Sequence, residues 1–337
     1  MDLVRLLLDH GADANTTDEQ YGSVLHAASV EGHTDVVRLL LETGADVNTT
    51  GGYYGSALQA VSSRGHTDLV HLLLDTGADV NATGGKYGSA LQAASSGGHM
   101  DLVHLLLETG ADVNAMGGKY GSALQAASSK GNMDLVRLLL EHSANVDALG
   151  GEYGSALQAA CSGGNTDLVR LLLEKGTDVN TMGGYYGSAL QAASAWGWGN
   201  TGKTDLVRLL LDHGASVTTT GGYYGNALQA ASSRGHTDLV RLLLEHGTNV
   251  NTLGGKYGSA LHAASLEGHT DLVCLLLDRG ADVNTMDREY RSVLLLEKGT
   301  DVNAMDGFYG SALQAASSGG HADLMRLLLE NGADVNA

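Results

Sequence analysis

Two kinds of apolar stretch alternate along the chain at a fixed interval. One is a run such as "MDLVHLLLE", Met100 to Glu108, in which Leu102, Val103, Leu105, Leu106 and Leu107 cover most of the girth of a helix. That pattern predicts a short helix buried on most sides. The other is "SALQAAS", Ser89 to Ser95, whose small residues predict a shorter helix that a neighbour can approach closely. Ser89 is placed to accept a bond from an orphan backbone N–H at its start. Gly97 and Gly98 are placed to end it, since glycine adopts left-handed backbone at low cost. Asp101 suits the positive end of the longer helix's dipole. Between one pair and the next, "TGADVNAMGGKYG" reads as a glycine-rich hairpin. Helices this short are marginal alone. They persist by burying their faces on neighbouring pairs, so the pattern predicts a stacked array.

The interval is regular. A tyrosine followed in most cases by Gly-Ser falls at Tyr21, Tyr54, Tyr87, Tyr120, Tyr153 and Tyr186, 33 residues apart each time. Tyr224 follows after 38, Tyr257 and Tyr290 after 33 each, and Tyr309 after only 19. A fixed period in this range is the signature of a solenoid.

The unit "LQAASSGGHMDLVHLLLETGADVN", Leu91 to Asn114, follows the pattern L-H-x-A-A-x-x-G-H-x-x-x-V-x-x-L-L-x-x-G-A-D-V-N. In this it resembles the ankyrin repeat, a β-turn and two helices over about 33 residues, and the resemblance covers essentially the whole chain. It implies an all-α, right-handed, curved solenoid with hairpin-like turns between helix pairs, about 100 Å long at roughly 10 Å per unit. The family's T-P-L-H at the start of helix 1 is S-A-L-Q in most units, with His only at His26 and His262. The chain has no proline, so the preorganised first helical position is lost. Gly-Gly replaces the usual hairpin Asp in most units, and a looser hairpin is expected. The wording "YGSALQAAS" looks like ankyrin arrays of filamentous fungi, which often follow an NTPase domain in NOD-like proteins. On that resemblance the chain would be a sensor segment, with any enzyme activity outside these residues.

The organisation expected is an array over residues 1–289, a truncated repeat over 290–308, and a final unit over 309–337 without a cap. The array opens on a half-unit, "MDLVRLLL", and carries a five-residue excess near 195–203. Neither end shows a polar capping repeat, so the chain reads as a fragment of a longer protein, or as an array whose ends fray or self-associate. Leu324, Leu327 and Leu328 are expected to leave an apolar face partly open. "YRSVLLLEKG", Tyr290 to Gly299, is a unit missing 14 residues, and a fault in the stack with weaker docking of the last unit is expected there.

Composition narrows the function. A net charge of -19 makes nucleic acid a poor partner, because phosphate binding needs clustered Lys and Arg. The two cysteines, Cys161 and Cys274, form no disulfide framework and fit a reducing compartment, hence a cytoplasmic location with the nucleus open. No apolar run is long enough to span a membrane, and "MDLVRLLLDHG" is not a secretory signal. The sequons at Asn15, Asn48 and Asn81 are accordingly expected to be unused.

One stretch invites chemistry. "WGWGNTGKTDLV", from Trp196, contains G-x-x-x-x-G-K-[ST] over Gly197 to Thr204, the spacing of a phosphate-cradling loop. Such a loop joins a buried strand to a helix. Here the preceding element reads as a helix, and Gly202 and Thr204 stand where other units have Gly-His-Thr. An exposed loop is the better reading. Trp196 and Trp198 on it are either partner contacts, since Trp is enriched in hot spots, or rings folded back on their own helices.

The Gly-His-Thr histidines (His33, His66, His99, His236, His269, His321) recur once per unit, about 8–10 Å apart. A metal needs its ligands within about 2.1 Å of one ion, so they form a ladder with a structural hydrogen-bonding role. Every Ser/His/Asp combination is likewise the repeat itself, and no catalytic residue, cofactor or metal is expected.

The informative positions are those that vary. The residue before each framework tyrosine reads Gln20, Tyr53, Lys86, Lys119, Glu152, Tyr185, Tyr223, Lys256, Glu289 and Phe308. The residue ending helix 1 reads Glu31, Arg64, Gly97, Lys130, Gly163, Arg234, Glu267 and Gly319. Both are either exposed and free to drift or the contact points for a protein partner. The expected binding set is Tyr53, Lys86, Lys119, Glu152, Tyr185, Tyr223, Lys256 and Phe308 at the tips, with Arg64, Lys130, Arg234, Trp196 and Trp198. The function expected is protein recognition without catalysis.

Overall fold

The structure, a computed structural model, describes residues 2–197, 204–285 and 310–335. The truncated repeat, Phe308, Glu289, Trp198 and Lys203 therefore lie outside the described residues. The described chain is nineteen helices with one two-stranded ribbon, β1 (Thr17–Asp18) and β2 (Gly22–Ser23). It divides into two compact units, residues 1–163 with 174–177, and residues 164–173 with 178–337.

In the first unit, α1 (Asp2–Asp9) precedes the pairs α2 (Val24–Val30) and α3 (Thr34–Glu42), α4 (Ala57–Arg64) and α5 (Thr67–Asp75), α6 (Ala90–Gly97) and α7 (Met100–Glu108), and α8 (Ala123–Ser129) and α9 (Met133–Glu141). It closes with α10 (Ala156–Ser162). Each short helix begins at an extended serine whose hydroxyl accepts the backbone N–H three residues on, as Ser89 does from Gln92 at 3.2 Å. The short helices stack in series, α2 on α4, α6, α8 and α10, and each long helix of a pair packs on its short partner. Ala93, Ala94, Leu91, Leu102, Val103 and Leu106 are all but sealed from solvent. Burying one such leucine contributes about 1.5–3 kcal/mol, and neither helix of a pair could achieve that without the next pair.

The second unit holds most of α11 (Thr166–Glu174) and the pairs α12 (Ala189–Ser194) and α13 (Thr204–Asp212), α14 (Ala227–Ser233) and α15 (Thr237–Glu245), α16 (Ala260–Leu266) and α17 (Thr270–Asp278), and α18 (Ala312–Ser318) and α19 (Ala322–Glu330). Its short helices stack in the same way, α12 on α14, α16 and α18.

An asparagine rung registers the turns after the long helices. Asn48 donates through Nδ2 to the Gly77 carbonyl at 3.0 Å and accepts the Asp79 N–H at 2.7 Å. Asn15 and Asn81 do the same to the following unit, which engages the amide that a glycan would need. The partners normally lie 29 and 31 residues ahead. For Asn180 they lie 34 and 36 ahead, so the five-residue insertion leaves the rung intact.

For Asn284 the same bonds reach Gly332 at 3.1 Å and Asp334 at 2.8 Å, 48 and 50 residues ahead. Among the described residues the last pair therefore docks directly on the unit of α16 and α17, with its bonds offset by 19 residues from the usual spacing. His321 Nε2 completes the seam with the Leu266 carbonyl at 3.0 Å. Of the three leucines expected to leave a face partly open, Leu327 is half-buried and Leu324 and Leu328 are not open. They turn into the stack, at 1% and 0% exposure, and Leu329 is the exposed one. The open apolar residues at the other end are Leu3, Leu6 and Leu7 of α1.

Candidate functional site

The hairpins carry the candidate residues, and their geometry is tight rather than loose. In each Gly-Gly pair the second glycine has positive φ, as Gly85 does at 58°. A Cβ on Gly85 would sit 2.4 Å from the Gly55 nitrogen and 2.4 Å from the Tyr54 carbonyl carbon. The glycine is there because the preceding tip presses against it. Left-handed freedom is only half of the requirement; close approach of two backbones is the other half.

That approach builds a ladder. Lys86 N–H donates to Tyr53 O at 2.8 Å, Lys119 to Lys86 at 2.6 Å, and Glu152 to Lys119 at 2.7 Å. In the second unit Tyr223 donates to Tyr185 at 2.8 Å and Lys256 to Tyr223 at 2.8 Å. The varying residues are thus held in one row, one per unit, by main-chain bonds indifferent to side-chain identity.

Their side chains meet in neighbouring pairs. The Lys86 ammonium donates to the Tyr53 hydroxyl and lies over the Tyr53 ring at 4.8 Å and the Tyr87 ring at 5.6 Å. The hydrogen bond to Tyr53 holds the Lys86 pKa above the usual lysine value. Lys119 pairs with Glu152 at 3.1 Å. The Tyr185 and Tyr223 rings stack at 4.6 Å, and Lys256 lies 5.3 Å from the Tyr223 ring. Burial, then the neighbouring tyrosines, push the Tyr185 phenol well above its ordinary pKa. Tyr53 and Tyr185 each remain 45% exposed.

Behind this row the framework tyrosines form a second one. Tyr54 and Tyr87 stack at 6.3 Å, and Tyr120 and Tyr153 at 6.2 Å. In the second unit Tyr186, Tyr224 and Tyr257 do so at 6.3 Å per step. Their hydroxyls reach the other varying position: Arg234 Nη2 donates to the Tyr224 hydroxyl at 2.8 Å, and Tyr257 donates to Glu267 at 3.5 Å. In these two repeats tip residue, framework tyrosine and helix-1 end thus form one continuous strip. Arg64 and Lys130 occupy the same helix-1 position on exposed ends of α4 and α8.

Trp196 stands apart from the strip. Its ring lies against Gly164, where a Cβ would come within 2.5 Å of Cε2. In neighbouring units a histidine takes that place: His66 over Gly32, His99 over Gly65, His269 over Gly235. The Trp196 carbonyl in turn accepts from His236 Nε2 at 2.7 Å. Trp196 is half-buried and fills a framework position. His66 and His99 also bond the preceding unit, through the carbonyls of Val30 at 3.3 Å and Ser63 at 3.4 Å.

The element before the Gly197–Thr204 motif is α12, a helix, where a phosphate loop needs a strand. Among the described residues no group of three side chains could hold a metal ion, and no helix is long and apolar enough to cross a membrane. Cys161 is buried, and burial pushes its thiol up far from the thiolate range.

Repeated helix pairs, each stacked on the next, define a helical repeat protein. The particular family is shown by its sequence models. Models described as ankyrin repeats match residues 91–183, 124–221 and 190–287 in three copies, 25–74 and 57–107 in a many-copy form, and 311–337 as a single repeat. The chain belongs to the ankyrin-repeat family. Among solved structures it is similar to the human ASB11 ankyrin repeat domain, with 26% identity and a TM-score of 0.53. That match covers 67% of this chain and 99% of the other. No curated protein matches it. Ankyrin repeats are in general protein-interaction modules, and the fold is typically non-catalytic.

Proposed function

We propose that the chain is a non-catalytic scaffold that binds a protein partner through the hairpin tips and the ends of helix 1. The observation that carries this reading is the tip ladder. Main-chain bonds hold Tyr53, Lys86, Lys119 and Glu152 in one row whatever their side chains, so the side chains are free to serve recognition. Aromatic anchors flanked by charge suit that role. The two free cysteines fit a reducing compartment such as the cytoplasm.

Selection from a random-peptide display library against the full chain tests the reading. Binders are expected to be enriched, and to lose affinity when Tyr53, Lys86 and Lys119 are together replaced by Ala. Enrichment of nothing, or binders indifferent to the triple substitution, would show that the tips are the wrong place.

A further inference from the structure

In the first unit, charge is sorted by element. Between Tyr53 and Gly151 every carboxylate lies on α5, α7 or α9 or on the turn that follows each. Of the cations there, only Arg137 shares those elements; Arg64, Lys86, Lys119 and Lys130 lie on the tips or the ends of helix 1. Glu152 neutralises Lys119. Among the described residues no carboxylate lies within salt-bridge reach of Arg64, Lys86 or Lys130. Lys86 has a phenol for a partner, which leaves its charge uncompensated. Within a chain of net charge -19 these repeats thus carry a locally positive strip, with one cation lacking a carboxylate partner in each of three successive repeats.

The strip also has a pitch. Its stacked tyrosine pairs, Tyr54 with Tyr87 and Tyr120 with Tyr153, are spaced 6.3 and 6.2 Å between ring centres. In an extended peptide, side chains on one side recur every two residues, about 6.6 Å. At each of those steps an extended segment laid along the strip would offer every second side chain to the next repeat, with a mismatch of only ~0.4 Å. In those pairs the facing rings cover each other, at interplanar angles of 24° and 15°, and Tyr120 is buried. That denies bases the open ring faces that single-stranded nucleic acid stacks on.

We propose that this strip binds an extended acidic segment of a partner protein, with Asp or Glu at alternate positions facing Arg64, Lys86 and Lys130. This rests on the interaction reading above and names the chemistry of its partner. Fluorescence anisotropy on the full chain tests it with four labelled probes of equal length. They are a peptide alternating Glu with Thr, an isomer with all its glutamates in one block, a basic peptide alternating Lys with Thr, and an oligouridine.

The alternating acidic peptide should bind at least about tenfold tighter than its block isomer, weaken with salt, and lose about tenfold in the R64E/K130E variant. K86Q, which keeps the tip backbone, should lose several-fold and serves should the double variant fold poorly. Equal affinity for the two isomers, indifference to these variants, or tighter binding of the oligouridine overturns the proposal. Binding of the basic peptide alone would remove the acidic partner and leave the interaction reading standing. That reading falls only if the display selection enriches nothing or its binders ignore the tip substitutions.

Discussion

Ser143 occupies a turn position where neighbouring units have glycine, and it holds φ at 67°. A residue with a Cβ pays roughly 1–2 kcal/mol for that region. Its backbone bonds, including Asn114 Nδ2 to its carbonyl at 3.2 Å, do not need the side chain. Ser143→Gly should therefore raise stability by about 1 kcal/mol, read as a higher urea midpoint; a fall would show that the hydroxyl contributes more than the strain costs. His26 and His262 are exceptions of another kind. Both are buried where other units bury glutamine, with 1% and 2% exposure. Burial lowers the His26 pKa and pushes His262 down from 6.5 to about 4. The unfolded chain then binds more protons below about pH 6.5, so stability is full above that value and falls as pH drops toward 4. Replacing both with Gln should flatten this acid limb in urea titrations at stepped pH, with His269, also lowered by burial, retaining part of it. An unchanged limb would place the acid sensitivity elsewhere.

At the scale of elements, helices, caps and period were legible from the residues. Ser89 and Asp101 take their expected places, and helix 1 ends at Gly98 with φ 77°. The hairpin was not. Gly-Gly read locally as loosening, because local reading counts only the freedom glycine has. What forces glycine is the backbone of the preceding repeat's tip, beyond any local pattern. For the same reason the tip residues read as separate positions, although Lys119 meets Glu152 and Tyr185 stacks on Tyr223 across repeats. Two substitutions separate the causes. Gly110 has φ 89° with nothing within 4 Å of a Cβ, so Gly110→Ala should cost only backbone strain, about 1 kcal/mol. Gly85→Ala adds a backbone clash and should cost roughly 2–4 kcal/mol. Equal losses in thermal or urea unfolding would contradict the pressed-tip geometry.

For the whole molecule, the Asn rungs show what counts as a layer. They step over the insertion before α13, and they join α17's turn to α19's across residues 286–309. Deleting 286–304 would join Asn284-Thr285 to Met305-Asp306 and restore the period. The last pair should stay docked, with unfolding no less cooperative and slightly more stable for the shorter closure. Loss of the terminal unit from the cooperative transition would mean that the deleted residues support it. The strip of tips, tyrosines and helix-1 ends is the larger consequence of that stacking. The sequence marked its varying members one by one, while the rows that join them exist only once the repeats are stacked.

The most direct test of that strip as the contact face is amide hydrogen exchange on the full chain, with and without a peptide obtained by display selection. Slowed exchange is predicted at the tips around residues 51–56, 84–89 and 117–122 and at the ends of α4 and α8, with α5, α7 and α9 unchanged. Protection confined to α5, α7 and α9, with the tips unaffected, would contradict the account.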